Sequence, residues 1–171
     1  MKIKSFLFGL MAMAIMGAGT LTASAQTKVA HIASQELIEA MPSYTQAKKD
    51  LKNLEDTYDA EIKGMVKELQ TLAERYDREA SSQSDESNGA RIEEVQGRQQ
   101  RIAEYRQKAL EDLRKKEIDA LKPITEKARE AVLRVARAKG FDYVLDSTIG
   151  TGVILADGYD LMADVKKDLG I

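Results

Sequence analysis

Few residues in this sequence could do chemistry, and they are scattered. His31 is the single histidine and the chain has no cysteine. With no partner at ligand spacing, His31 makes no metal centre and is read as a structural strand residue. Gly150-Thr151-Gly152 could hint at phosphate binding, but no Gly-Lys-Ser/Thr follows. Between two apolar runs it reads as a hairpin turn. The 28 carboxylates are spread among basic neighbours at helical spacing, the pattern of a solvated helix face and not of an acid–base pair. No enzyme activity and no cofactor is expected. What remains is a set of aromatic and thioether side chains at Tyr44, Tyr58, Met65, Tyr76 and Tyr105. Their main role is expected in a helical seam. The sharper expectation is that Tyr58, Met65, Tyr76 and Tyr105 also grip a bound polypeptide, because such side chains make adaptable apolar contacts.

Long helices must position them. Ser43-Tyr44-Thr45-Gln46 is a capping-box pattern that opens a helix after Pro42. Tyr44, Ala47, Leu51, Leu54, Tyr58, Ile62, Met65, Leu69, Leu72 and Tyr76 then recur at spacings of three and four. That is a coiled-coil seam, with one register shift at Tyr58–Ile62. Gly64 is its one weak residue, costing about 1 kcal/mol relative to Ala. Ser, Asn and Gly cluster over 80–90 and predict a turn. Helix resumes from about Ala90 along Ile92, Val95, Ile102, Ala109, Leu113, Leu121, Ile124, Ala128, Val132 and Val135, with polar seam positions at Gln99, Arg106 and Glu117. Gly140 supplies the stop. Two heptad helices joined by a short turn predict a long antiparallel coiled-coil hairpin. Folding it at residue 85 brings position 43 opposite about 127, close to Pro123. A bend is expected there.

The chain ends supply the rest. A strand is predicted over 28–33, a short helix capped by Ser34 and running to about Ala40, strands over 141–146 and 153–156, and a final helix over 161–169 capped by Asp160. Three short strands are too little sheet to stand alone, and their edges need covering. Self-association is the economical solution, with Val29, Ile32, Tyr143, Leu145, Val153 and Leu155 in the oligomerisation body. The fold class is thus mainly α with a small β body. An arm over 43–123, its tip at about 80–90, projects from a body made of 26–42 and 124–171.

Residues 1–25 read as a cleavable secretory signal: Lys2 and Lys4, an apolar run from Phe6 to about Gly17, then Ala23-Ser24-Ala25. The whole chain carries a net charge of −2. Loss of the two signal lysines makes the remainder more acidic. No basic field for nucleic acid exists, and the charge gives no indication of membrane contact.

Lys28-Val-Ala-His-Ile-Ala-Ser-Gln-Glu-Leu-Ile-Glu-Ala-Met-Pro42 resembles the opening strand and helix of the Skp/OmpH periplasmic chaperones. Ala138-Lys-Gly-Phe-Asp-Tyr-Val-Leu-Asp146 resembles that family's second strand, and Leu155-Ala-Asp157 with Asp160-Leu161 its closing segment. The resemblance implies a trimer with a β-barrel body and three helical tentacles around a cavity. It also implies a periplasmic role holding unfolded outer-membrane proteins without ATP. The best-known members have basic arm tips. Here residues 75–98 carry four arginines against six acids, so neither electrostatic attraction of acidic clients nor a lipopolysaccharide site is carried over. The other reading of the hairpin is a coiled-coil spacer or adaptor in the envelope with one dedicated folded partner.

Overall fold

The computed structural model describes residues 27–171; the expected signal segment lies outside them. The elements in chain order are β1 (Val29–Ile32), α1 (Ser34–Glu39), α2 (Pro42–Glu79), α3 (Asp85–Ala138), β2 (Tyr143–Asp146), β3 (Tyr159–Asp160) and α4 (Met162–Leu169). A 3₁₀ turn, Ala80–Ser82, links the two long helices.

α2 begins one residue before the expected capping box. Pro42 takes the first helical position, where its fixed φ and missing N–H cost nothing. Ser43 therefore lies inside the first turn and caps nothing, and the Gln46 amide donates to Asp50 at 2.8 Å instead. The second long helix starts at Asp85 and not near 90. Ser84 is its N-cap, its hydroxyl accepting from Ser87 N at 3.2 Å, and Asp85 and Glu86 occupy the positive end. The polar run that reads as a breaker is thus largely a helix start. At the far end Gly140 has φ 72°, its N–H donates to Arg137 O, and Phe141 N donates to Ala136 O. Those two bonds satisfy the last carbonyls in a Schellman arrangement.

Contacts between α2 and α3 run in opposite chain directions. Glu79 meets Arg91, Tyr76 meets Glu94, Glu61 meets Tyr105 and Tyr58 meets Asp112. Every expected seam position of α2, from Tyr44 to Tyr76, is buried or half-buried. On α3 the phase differs from expectation. Gln99, Arg106 and Glu117 are exposed, whereas Arg98, Tyr105 and Asp112 turn inward beside Ile102 and Ala109. α3 continues through Pro123. Ile124 lies in the same groove as Ser43, so Pro123 is level with the start of α2. The hydrogen bond lost at Pro123 is offset by apolar packing, since Ile124 and Ala128 are buried and Leu121 packs on them.

The sheet has the order β2-β1-β3, with β1 parallel to both neighbours. Val29 pairs with Tyr143 and Ile32 with Asp146 on one side; Ala30 pairs with Tyr159 on the other. Two expectations are corrected here. Residues 153–156 form no strand in this chain; the third strand is Tyr159–Asp160. Both edges of β1 are taken by β2 and β3, and 153–156 pairs with neither outer edge of the sheet. Gly150-Thr151-Gly152 is accordingly no hairpin turn. It belongs to the loop that carries the chain from one side of β1 to the other, with both glycines at positive φ (93° and 94°).

Beneath the sheet, Ala30, Ile32, Leu37, Met41, Leu161 and Val165 pack with the last third of α3 into one core. One polar device orients α1 on it. The residue before α1 is Ala33, which has no acceptor, and Ser34 is the first helical residue, not the cap. The acceptors come from the other end of the chain. Asp146 Oδ1 accepts from Ser34 N and Thr148 Oγ1 from Gln35 N, each at 3.2 Å, while Ser34 Oγ donates to Asp146 Oδ2. Asp160 stands one residue before the N-cap, which is Leu161, and accepts from Met162 N at 2.8 Å in an Asx turn that leads into α4.

Partial burial pushes the Asp146 carboxyl upward. The hydrogen bonds from Ser34 and Thr148 outweigh it and hold the group at about 2. A carboxyl depressed on folding stabilises the fold above its unfolded value and stops doing so as pH falls through the folded one. The urea midpoint, followed by far-UV circular dichroism, should therefore fall between pH about 4 and about 2. Asp146→Asn should flatten that part of the decline. Asp146→Ala should cost about 1 kcal/mol at neutral pH, as loss of a helix cap does.

Candidate functional site

Two surfaces invite a functional reading: the pair of long helices, and the open face of the sheet. The helix pair is held by tyrosine hydroxyls. Tyr58 Oη donates to Asp112 at 2.8 Å, Tyr76 Oη to Glu94 and Tyr105 Oη to Glu61. The Tyr58 and Tyr105 rings also meet edge-on, 6.1 Å between centroids. Arg91 stacks over the Tyr76 ring at 4.6 Å and pairs with Glu79 at 2.8 Å. Its Nη1 is buried without a hydrogen-bond acceptor, and the negative ring face is the nearest substitute.

These bonds leave their mark on ionisation. The bond to Asp112 raises Tyr58, and the bond to Glu61 raises Tyr105 to about 12. The bonds from Tyr76 and then Arg98 lower Glu94. At neutral pH the Tyr58 and Tyr105 hydroxyls are therefore donors and Glu94 is ionised.

The structure brings Tyr58, Tyr76, Tyr105 and Met65 into the cleft between α2 and α3, all half-buried. Tyr58 and Tyr105 are neighbours; Met65 faces Ile102 and Arg98 in a separate groove, and Tyr76 lies nearer the turn. Sequence reasoning missed the carboxylates that receive the hydroxyls. A signal existed: Ile102, Tyr105 and Ala109 continue a three–four spacing, and that phase selects Asp112 over Glu117.

The sheet behaves differently on its two faces. Ala30 and Ile32 point into the core, whereas Val29, Tyr143 and Leu145 are exposed on the other side, Tyr143 by 62%. Ile32 is thus internal to this chain. Val153 is half-buried. Leu155 stands exposed in the loop, where Ile149 and Ile154 are almost wholly in solvent. These last two were not singled out from sequence. His31, on the open side of β1, has Nδ1 within 3.2 Å of Ser147 Oγ.

Among the described residues no three His, Cys, Asp or Glu side chains cluster as metal ligands. No helix among them is long and apolar enough to cross a membrane.

Residues 28–169 match the family described as "Outer membrane protein (OmpH-like)". The chain belongs to this family. A crystal structure of an OmpH-like protein from Caulobacter crescentus CB15, assigned as an outer membrane chaperone, superposes with a TM-score of 0.75. The two chains are 18% identical, and 85% of each is covered. That likeness is one of fold. No curated protein matches the sequence. The OmpH-like family is a non-enzymatic class with a chaperone role, and the chain is not an enzyme.

If the hydroxyl–carboxylate bonds hold the helices in register, Tyr58→Phe should lower the stability of the fold. Urea unfolding followed by circular dichroism measures it. An unchanged midpoint would show that the bond to Asp112 is worth no more than its replacement by water.

Proposed function

We propose that this protein is an ATP-independent periplasmic holdase. It binds unfolded outer-membrane proteins in a cavity between helical arms and prevents their aggregation before membrane insertion. The family match over 28–169 carries the proposal. Residues 1–25 act as the cleaved export signal, and 43–123 form the arm, an antiparallel coiled-coil hairpin. Residues 26–42 with 124–171 form the body.

The sheet supports self-association. Parallel sheets are normally covered on both faces, and this three-stranded one has helices on one side only. Val29, Tyr143 and Leu145 offer an apolar surface on the other side, and among the described residues the outer edge of β2 has no strand beside it. Residues 153–156, carrying Val153, Ile154 and Leu155, have strand character without a partner. A homotrimer in which such segments and edges close a shared barrel satisfies all three demands. It also sets three arms around one space.

Clients in transit expose apolar side chains and strand edges that aggregate. Many weak contacts inside such a space retain them by multivalency, and release needs no ATP. Client contact by Tyr58, Met65, Tyr76 and Tyr105 is limited to the parts their seam packing leaves open.

Dilution of a urea-unfolded outer-membrane β-barrel protein into buffer tests this reading. The full chain should keep the client soluble at about one trimer per client, and light scattering should give a trimer mass. A spacer or adaptor would leave the client to precipitate while retaining one folded partner. A monomer would remove the cavity on which the mechanism rests.

A further inference from the structure

The two long helices form a ribbon whose two broad sides differ in chemistry. At 3.6 residues per turn, Ile92, Gln96, Gln99, Ala103, Gln107 and Leu110 follow one another at spacings of three and four along one flank of α3. All are exposed, Ile92 by 59% and Leu110 by 67%. The groove beside Ile92, Gln96 and Gln99 is walled on the α2 side by Ala73, Asp77 and Ala80. The two flanks therefore make one continuous side, and the charged residues of its groove are Asp77 and Arg91, the latter engaged with the Tyr76 ring and Glu79. The other flank of α3 carries Glu94, Arg98, Arg101, Glu104 and Lys108. Its grooves are shared with Glu68, Lys67 and Arg75 of α2. One side of the ribbon is mainly apolar and amide, with Asp77, Arg91 and the exposed Arg106 as its charges; the other is densely charged.

We infer that the apolar–amide side is the surface on which an extended, uncharged segment of unfolded polypeptide lies; this rests on the holdase reading and specifies its contact face. Charged side chains lose solvation when an apolar segment covers them, so the charged side is the poorer seat. Ile92, Ala103 and Leu110 offer apolar contact. Each glutamine amide both donates and accepts, matching the unpaired N–H and C=O groups of a chain without secondary structure. A folded partner would satisfy its own backbone and have no use for that row. The acidic turn region is no obstacle, because this contact needs no net charge.

A photo-crosslinking phenylalanine analogue placed at Gln96 or Ala103, and for comparison at Arg101 or Lys108, tests the inference in the full chain with a urea-unfolded β-barrel client. Yields from the first pair should exceed those from the second about fivefold, roughly the factor that burial of one further methylene group gives. In the aggregation assay Ile92→Glu and Ala103→Glu should each raise the amount of chaperone required by a similar factor. Thr71→Glu, which adds the same charge on the other side, should not. Circular dichroism of each variant confirms that the helices persist. Equal yields, or higher yields from Arg101 and Lys108, overturn the assignment while leaving holdase activity intact. Crosslinks between copies of the chain without client also overturn it, because the side is then a subunit interface. If the unsubstituted chain fails to suppress aggregation, the holdase reading fails first and this inference with it.

Discussion

Everything in this fold follows from β1 having parallel neighbours on both sides. A parallel pair cannot be joined by a tight turn; the chain must travel back before it can run in the same direction again. Between β1 and β2 that journey is α1, α2 and α3. The two long helices are thus, topologically, a crossover connection grown far beyond the sheet it serves. Their unequal lengths, 38 and 54 residues, express the same constraint. α3 must return past the level of Pro42 and continue beside the core before Tyr143 can enter next to Val29. Its last third carries Ile124, Ala128, Ala131 and Val135, the apolar ridge against which strand and short helices pack. The register is then locked at both ends of β1. Asp142 N donates to Lys28 O at 2.8 Å and Ser147 N to Ile32 O at 2.9 Å.

Sequence reasoning reached the parts governed by periodicity. Each seam residue of α2 lies where its spacing puts it, and Gly140 ends α3 in the left-handed conformation that glycine tolerates without cost. It failed where a partner distant in sequence decides. Ser34 looked like a cap because serine caps helices; the true acceptors are Asp146 and Thr148, more than a hundred positions away. The run 153–156 has strand composition, but composition does not reveal that Tyr159–Asp160 already holds the open edge of β1. On α3 the error was one of phase. The apolar spacing from Ile102 to Ala109 points to Arg106 between them, whereas Tyr105 with its acidic partner is the actual seam element.

That seam bears on how the helix pair can serve a chaperone. Two helices standing away from any core have only each other to pack on, and an all-apolar seam would invite other pairings and registers. Tyr–carboxylate bonds at Tyr58, Tyr76 and Tyr105 each specify one opposing residue. Their contribution to stability is modest, but a slipped register would leave the half-buried Asp112 and Glu94 without their hydroxyls. The small residue Ala109, 4% exposed, lets the helices approach between these polar rungs. With register held by directional bonds, the large aliphatic residues of the flank are released from seam duty. Ile92, Leu110 and Ile118 can remain outside.

Charge then separates what the ribbon holds from what it repels. Ion pairs such as Arg98–Glu94 and Lys52–Asp56, 2.9 Å each, keep the helices soluble and add little to stability at such exposed positions. Because acids and bases are closely mixed on the charged flank, its field falls off within roughly a Debye length, about 8 Å at physiological salt. It can neither steer an acidic client from a distance nor hold one tightly. Recognition that relies on uncharged contact is weak per residue and indifferent to client charge. Those are the properties that the proposed holdase role would require.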